Sequence, residues 1–335
     1  ETLDKYAEVA ERVKVVAREP SCKLCHRCNC LAGECTEHDE DLRALRRVAA
    51  HFHRQVSSVA PILFSDSQIR RFIVDGFGIL SVLDKTLSEP FHRGVFNELE
   101  RVGVRSGENV GNNISAVVPE VGLVLEHPAV RGALISLLGQ DYVIHSFKYA
   151  HWTAPGTKNQ NWHRDANPAG FRRRSHRPRH LLVMYYPQET TLEMGPTQVL
   201  AGSQYLSAGD HRVLEREAKK TPHCSVESPL PEPPRSWGQP MHLVVPGGSV
   251  IVTHADIWHR GTANTSSDLV RFMVKWVAVR VSEPTTPTWE TSLSPEGCAM
   301  GWTPCAMPER PGLAGVWRAT WRWMCGGKVA DREEE

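Results

Sequence analysis

The sequence lacks any apolar run that approaches the roughly 20 residues needed to cross a bilayer. It also lacks an excess of charge, since 39 Lys and Arg against 38 Asp and Glu leave a net charge of +1. A near-neutral chain has no global attraction to nucleic acid or to an acidic membrane surface. We therefore expect a soluble protein with no membrane span and no nucleic-acid partner. A cytoplasmic location is favoured, and the oligomeric state is open.

A signal-peptide core is also missing at the start of the chain, because Glu1 opens a polar segment. We interpret the chain as a fragment or a processed form. Its 335 residues, 41% of them hydrophobic, suffice for a sizeable core. Three regions are predicted: a helical, Cys-rich extension over 1–60, a main domain over 61–282, and a Pro- and Trp-rich extension over 283–335. The last region is expected to pack on the core and to end in an acidic tail.

Cysteine is concentrated near the start, where five of the nine cysteines fall between residues 22 and 35. Such closely spaced thiolates are typical of a tetrahedral zinc site. A second well-spaced pair further along is missing, however, and an odd number of cysteines cannot all pair within the cluster. The segment therefore predicts either a structural metal site or a cysteine-rich loop, reduced or partly disulfide-bonded. The candidate ligands are Cys22, Cys25, Cys28 and Cys30.

Within the main domain, helical patterns are confined to its first part. Ser65 or Asp66 is predicted to cap a helix that ends at Gly76, and the Gly- and Asn-rich residues 103–113 to form a loop. Further helices are predicted over 89–102 and 127–138. From residue 142 the pattern changes to strand-length apolar runs separated by Gly and Pro turns. The predicted strands are 77–83, 142–152, 180–186, 198–200, 242–245, 249–253 and 270–279.

This order predicts a mainly β fold with an α cover. The expected core is a double-stranded β-helix, the jelly-roll or cupin-like architecture, preceded by N-terminal helices. A doubly wound parallel sheet is disfavoured because long helices do not alternate with the strands.

A His-x-Asp pair, His163 and Asp165, lies in a segment predicted to be extended. Residues two apart on a strand point to the same face, so an imidazole and a carboxylate converge there. His259, far along the chain, is the candidate third ligand of a facial triad that leaves metal positions open. A second pair, His254 and Asp256, is too close to His259 along one segment to serve as the other two ligands. We expect it to support the site or to pack at a strand end.

Arg271 follows His259 on the last predicted strand. By alternation Arg271 and Met273 share one face, opposite Phe272 and Val274. A guanidinium that points into a barrel needs an anion, and a carboxylate is its natural bidentate partner. A structural ion pair is the alternative.

These residues, taken in order, closely resemble the phytanoyl-CoA dioxygenase-like (PhyH) family of non-haem iron, 2-oxoglutarate-dependent oxygenases. The resemblance runs from about Phe64 to Arg280. The segments that carry it are His163-x-Asp165, Met194-Gly195-Pro196-Thr197-Gln198-Val199-Leu200, Gly202-Ser203, Trp258-His259-Arg260-Gly261-Thr262-x-Asn264 and Arg271. Gln204 departs from the family, which usually has histidine there.

The resemblance implies Fe(II) held by His163, Asp165 and His259, and 2-oxoglutarate bound by Arg271 with Met184 and Asn264 nearby. It implies hydroxylation of a small-molecule or acyl substrate by O2, with release of succinate and CO2 and with ascorbate as a supporting reductant. Halogenation is disfavoured, because related halogenases lack the carboxylate that Asp165 provides.

Two other classes of function stay open. One is a catalytically silent family member that acts as a binding or scaffold module, and the other is a cupin-type metal enzyme that needs no 2-oxoglutarate. The substrate is also open. A loop with Arg172, Arg173 and Arg174 predicts either a receptor for an anionic substrate, bearing phosphate or carboxylate, or a solvated basic loop.

Overall fold

The computed structural model describes residues 45, 59–85, 87–106, 114–165, 178–205, 216 and 240–281. The predictions for Cys22, Cys25, Cys28 and Cys30, for Arg172, Arg173 and Arg174, and for the region 283–335 fall outside the described residues. The three predicted regions and their boundaries therefore stay predictions.

The described helices precede most of the strands. Helix α1 (Asp66–Asp75) begins at a capping box, in which the Ser65 side chain and the Gln68 side chain each bind the other's backbone N–H. It ends at Gly76, whose φ of 82° is left-handed and favours glycine. The remaining helices are α2 (Glu89–Ser106), α3 (Ile114–Val117), a 3-10 turn (Pro119–Gly122), α4 (Leu123–Glu126) and α5 (Pro128–Leu138).

The strands form two antiparallel sheets, which agrees with the predicted double-stranded β-helix. The larger sheet has the order β1-β6-β3-β8-β2 and the smaller one the order β5-β4-β7. The last of the described strands in sequence, β8, is thus inserted between β3 and β2. The strands are β1 (Phe77–Ser81), β2 (Val143–Thr153), β3 (His180–Tyr186), β4 (Thr197–Leu200), β5 (Pro240–His242), β6 (Ser249–His254), β7 (Trp258–Gly261) and β8 (Arg271–Val279).

The inner strands of the larger sheet, β3, β6 and β8, are largely buried on both faces, and alternation sorts their side chains between two cores. Val183 and Tyr185 of β3 pack with the helices, whereas Met184 and Tyr186 pack with residues of the smaller sheet such as Val199. The inner face of the sheet is therefore the one that can line a cavity between the sheets. The same period of two gives β8 an inner face at odd-numbered positions, since Met273 belongs to the inner core.

Two boundaries were predicted wrongly. Helix α2 continues to Ser106, so residues 103–106 are helical and do not belong to the predicted loop. A single glycine inside a long helix costs only about 1 kcal/mol and does not end it. The strand predicted over 242–245 is Pro240–His242 instead, and Val245 forms an isolated bridge with Thr190.

Within the described residues no single helix is long and apolar enough to cross a membrane. One bent pair, Pro119–Glu126 with Pro128–Leu138, meets the criteria of length and composition jointly, with a 63° bend at the break.

Burial in the inner core predicts that two paired isoleucines, when replaced by alanine, lower the free energy of unfolding by unequal amounts. Ile251 on β6 is 0% exposed, and its cross-strand partner Ile79 on β1 is 48% exposed. Ile251→Ala should lower the free energy of unfolding by roughly 2–5 kcal/mol, because it leaves a cavity between the sheets. Ile79→Ala should cost roughly 1 kcal/mol or less. Urea unfolding measures both, and equal losses would contradict the burial of Ile251.

Candidate metal centre and co-substrate pocket

The two candidate histidine ligands face each other across an antiparallel bridge. The backbone N–H of His163 donates to the carbonyl of His259 at 3.0 Å, and the N–H of His259 donates to the carbonyl of His163 at 2.9 Å. Because directly paired residues project to the same side of a ladder, the two imidazoles converge. Their ring centroids are 4.4 Å apart.

Each imidazole is held in one tautomer by a backbone carbonyl. Nδ1 of His163 lies 2.8 Å from the carbonyl oxygen of Asn161, and Nδ1 of His259 lies 3.1 Å from that of Ile257. A carbonyl can only accept, so Nδ1 carries the proton in both rings. Both Nε2 atoms are left with a lone pair, which is the arrangement that metal-ligating histidines use.

Asp165 completes a three-residue group. Its Oδ1 lies 3.7 Å from Nε2 of His163, and its Oδ2 lies 3.9 Å from Nε2 of His259. One ligand atom from each residue falls within 4.8 Å of the others. Burial, followed by the neighbouring His163, lowers the pKa of His259 to about 4, so that imidazole is neutral at physiological pH. Two imidazoles and one carboxylate on one side match a divalent metal with open positions.

Asp165 has a strong cationic neighbour, Lys275. The ammonium nitrogen of Lys275 donates to Oδ2 at 2.5 Å, and the lysine side chain is only 9% exposed. Burial alone would raise the pKa of Asp165, but His259 and the charge and hydrogen bond of Lys275 outweigh it. The pKa falls to about 2. The carboxylate is therefore ionised throughout the physiological range.

Arg271 is buried and incompletely hydrogen-bonded. Its Nη2 donates to the hydroxyl of Thr153 at 2.6 Å. Within the described part of the chain, Nε and Nη1 have no hydrogen-bond partner. Burial lowers the pKa of Arg271 and the nearby Tyr186 opposes that shift, yet a guanidinium keeps its charge in proteins. A buried cation with two unused donors is costly unless an anion binds it.

A cavity of about 100 Å³ is lined by His163, His259 and Arg271, while Asp165 is not one of its lining residues. Met184, predicted to lie near a co-substrate, also lines it. The other lining residues are His151, Trp152, Thr153, Thr157, Lys158, Gln160, Thr197, Gly261, Thr262, Met273 and Lys275.

Asn264, the other residue predicted to lie near the co-substrate, does not line this cavity. Its amide nitrogen donates to the carbonyls of Thr153 and Leu269 at 2.8 and 2.7 Å, and its amide oxygen accepts from Ser266. It ties the loop before β8 to the end of β2. A direct contact of Asn264 with co-substrate stays a prediction.

The second His-x-Asp pair does not line the cavity either. His254 ends β6, and its Nδ1 accepts the backbone N–H of Asp256 at 3.1 Å. Burial lowers the pKa of His254 to about 3. Burial raises the pKa of Asp256 to about 7, against the opposing charge of Arg164. The pair thus packs at a strand end, as one of the two sequence-based alternatives predicted.

Sequence reasoning missed several side chains of the pocket, among them Lys275 and His151. Lys275 follows Met273 by two residues on β8, so the alternation that placed Arg271 and Met273 on one face also places Lys275 there. His151 carried no such signal, because its position depends on its pairing with Met273 across β2 and β8. Burial, then the charges of Lys275 and Arg271, lower the pKa of His151 to about 3.

The sequence matches the model of the phytanoyl-CoA dioxygenase (PhyH) family over residues 25–273. A search of curated proteins found no match. Solved structures with a similar fold include SnoK, a non-haem α-ketoglutarate-dependent carbocyclase from nogalamycin biosynthesis. SnoK is 20% identical, covers 66% of this chain and 87% of its own, and gives a TM-score of 0.49.

Two further similar structures are bacterial. EctD from S. alaskensis, solved with bound Fe, is 19% identical over 67% of this chain and 78% of its own, with a TM-score of 0.47. HygX from Streptomyces hygroscopicus, solved with nickel and 2-oxoglutarate, is 14% identical over 69% of this chain and 93% of its own, with a TM-score of 0.48.

The buried carboxyl of Asp256 predicts a pH-dependent stability. With a folded-state pKa of about 7, above the ordinary 3.8, folded protein keeps a proton that unfolded protein releases. The stability from this group is full below the unfolded pKa and is lost as pH rises to about 7. Asp256→Asn, neutral at every pH, should therefore gain stability relative to wild type between pH 5 and pH 8, on the order of 2 kcal/mol.

Urea unfolding at the two pH values, without added metal, measures this difference. Asp268→Asn, at an exposed position, controls for the loss of one negative charge. A wild-type and an Asp256→Asn profile that run parallel from pH 5 to pH 8 would contradict the raised pKa.

Proposed function

Because the chain belongs to the phytanoyl-CoA dioxygenase family, we propose that it is an Fe(II)- and 2-oxoglutarate-dependent dioxygenase that hydroxylates a small-molecule or acyl substrate. The reaction converts 2-oxoglutarate, O2 and a substrate C–H group into succinate, CO2 and the hydroxylated product. One oxygen atom enters succinate and the other enters the product. The observation that carries the proposal is one cavity lined both by the buried, incompletely hydrogen-bonded Arg271 and by His163 and His259, whose ligand atoms lie within 4.8 Å of a carboxylate oxygen of Asp165.

His163, Asp165 and His259 are the proposed iron ligands. Because Nδ1 of each ring contacts a backbone carbonyl, Nε2 is the nitrogen left to bind a cation, and the low pKa of Asp165 keeps its carboxylate ionised. Three protein ligands on one side leave positions for co-substrate and oxygen. Bound iron supplies the oxygen activation that protein side chains cannot.

Arg271 is the proposed partner of the distal carboxylate of 2-oxoglutarate. The hydroxyl of Thr153 holds one end of the guanidinium, and Nε and Nη1 remain to donate. An Arg–carboxylate pair in a buried site gains charge compensation together with charge-assisted hydrogen bonding. Tyr186 lies beside the guanidinium and is itself hydrogen-bonded to Thr197 at 2.7 Å, so this end of the cavity is rigid.

The two rival classes fit these features less well. A silent scaffold has no need for two oriented imidazoles and an ionised carboxylate at one cavity. A cupin-type enzyme without 2-oxoglutarate leaves the buried donors of Arg271 without an anion. Metal binding and 2-oxoglutarate binding, measured separately, distinguish them: no iron binding supports the scaffold, and iron binding without 2-oxoglutarate affinity supports the cupin-type enzyme.

Replacing the proposed carboxylate ligand tests the metal centre. Asp165→Ala should abolish 2-oxoglutarate-dependent succinate formation, including uncoupled turnover without primary substrate, because two imidazoles alone hold iron weakly. Asp268→Ala removes an exposed carboxylate elsewhere and should keep wild-type turnover. Circular dichroism checks that both variants fold. Retained turnover in Asp165→Ala would overturn the proposed function.

Replacing the proposed co-substrate anchor separates the two enzyme classes. Arg271→Gln should raise the apparent KM for 2-oxoglutarate by roughly 30-fold or more, because a buried charge pair loses its cation. Arg271→Lys should give an apparent KM between those of wild type and Arg271→Gln, since an ammonium group keeps the charge but not the bidentate geometry. Iron affinity measured without 2-oxoglutarate should change little. An unchanged KM in Arg271→Gln would assign Arg271 a structural role.

A further inference from the structure

Lys275 lies at the metal centre without a part in the proposed chemistry. It occupies the inner face of β8, four residues beyond Arg271 and paired in register with Met184 of β3 and Tyr149 of β2. Pairing on both sides fixes its backbone, so its side chain cannot leave the cavity by a shift of one strand. Its ammonium group is buried and donates to Oδ2 of Asp165.

We propose that Lys275 is a positioning residue that shares the carboxylate of Asp165 with the metal and keeps the affinity for that metal moderate. This inference rests on the proposed function, because it assumes that Asp165 is a metal ligand. Oδ2 accepts from the ammonium group, so Oδ1, which faces Nε2 of His163, is the oxygen that remains for a cation.

The charge of Lys275 determines whether it raises or lowers the affinity for the metal. A divalent ion held by Asp165 lies a few ångströms from the ammonium group, and like charges repel strongly where water is scarce. A hydrogen bond that orients a ligand works in the opposite direction, since outer partners of metal ligands usually raise affinity. Repulsion between a monovalent and a divalent cation is the larger of the two effects at such a distance.

A second consequence concerns the protein without metal. Asp165 is an ionised carboxylate whose side chain is 22% exposed, and the more deeply buried Lys275 is its hydrogen-bonded cationic partner. Removal of one member of a buried ion pair leaves the other uncompensated. Loss of Lys275 should therefore destabilise metal-free protein while it strengthens metal binding.

Three substitutions separate charge from hydrogen bonding. Lys275→Met removes both, Lys275→Gln keeps a donor without the charge, and Lys275→Arg keeps both. Lys148→Met is the matched control, because Lys148 pairs with Trp276, whose side chain belongs to the core on the helical face of the sheet. The probe is Mn(II), titrated anaerobically by calorimetry and by the loss of its free-ion electron paramagnetic resonance signal.

The Met and Gln variants should each bind Mn(II) roughly tenfold more tightly than wild type. The Arg variant and the Lys148→Met control should stay within about threefold of wild type. Without metal, the Met variant should melt at a lower temperature than the control, and added Mn(II) should raise its melting temperature more than it raises that of wild type.

Several results would overturn the inference. Weaker binding in the Met variant with wild-type binding in the Gln variant would show that Lys275 acts only by orientation. Unchanged affinity in both would show that it acts only in folding. These failures differ from failure of the proposed function, in which wild type itself would bind no metal and form no succinate.

Discussion

The register of β8 is the constraint on which the rest of the site depends. This strand is paired on both sides, with β2 and with β3, and each pairing is antiparallel. A slip by one residue would turn Arg271 and Lys275 toward the helices and would bring Phe272 and Val274 into the cavity. The apolar packing of those two side chains against the helical core opposes such a slip. Hydrophobic burial on one face of the strand thus positions charged groups on the other.

The pocket is organised by an imbalance of charge. Arg271 and Lys275 are both buried on one strand, whereas Asp165 is the carboxylate that contacts either of them among the residues lining or adjoining the cavity. Metal ions add positive charge, so a dianionic co-substrate is the kind of molecule that brings the site back toward neutrality. Burial keeps His259 neutral, so its imidazole adds no charge to this balance. The balance is the physical reason why the proposed function assigns a doubly charged acid to Arg271.

Much of the fold and of the candidate site could be predicted from the sequence, because those features depend on local periodicity. Alternation placed His163 with Asp165 and Arg271 with Met273, and the cap at Ser65 and most strand bounds were confirmed. Lys275 was within reach of the same rule. The contact between the Thr153 hydroxyl and Arg271 could not be predicted in this way. The register of β2 against β8 shifts between Ile144 and Lys148, and local sequence does not reveal that shift. The extension of α2 was missed because one glycine is a weak signal inside a long helix.

The position of β8 also has a consequence for how the chain is made. It is the last of the described strands in sequence, yet it lies between β3 and β2 in the larger sheet. Synthesis proceeds from the N-terminus, so both neighbouring strands exist before the strand that joins them. Until residue 279 is available, β2 and β3 each present an unpaired edge, and edges of this kind are templates for aggregation. A ribosome stalled or terminated shortly before residue 271 would release a chain that has every proposed iron ligand but an incomplete sheet.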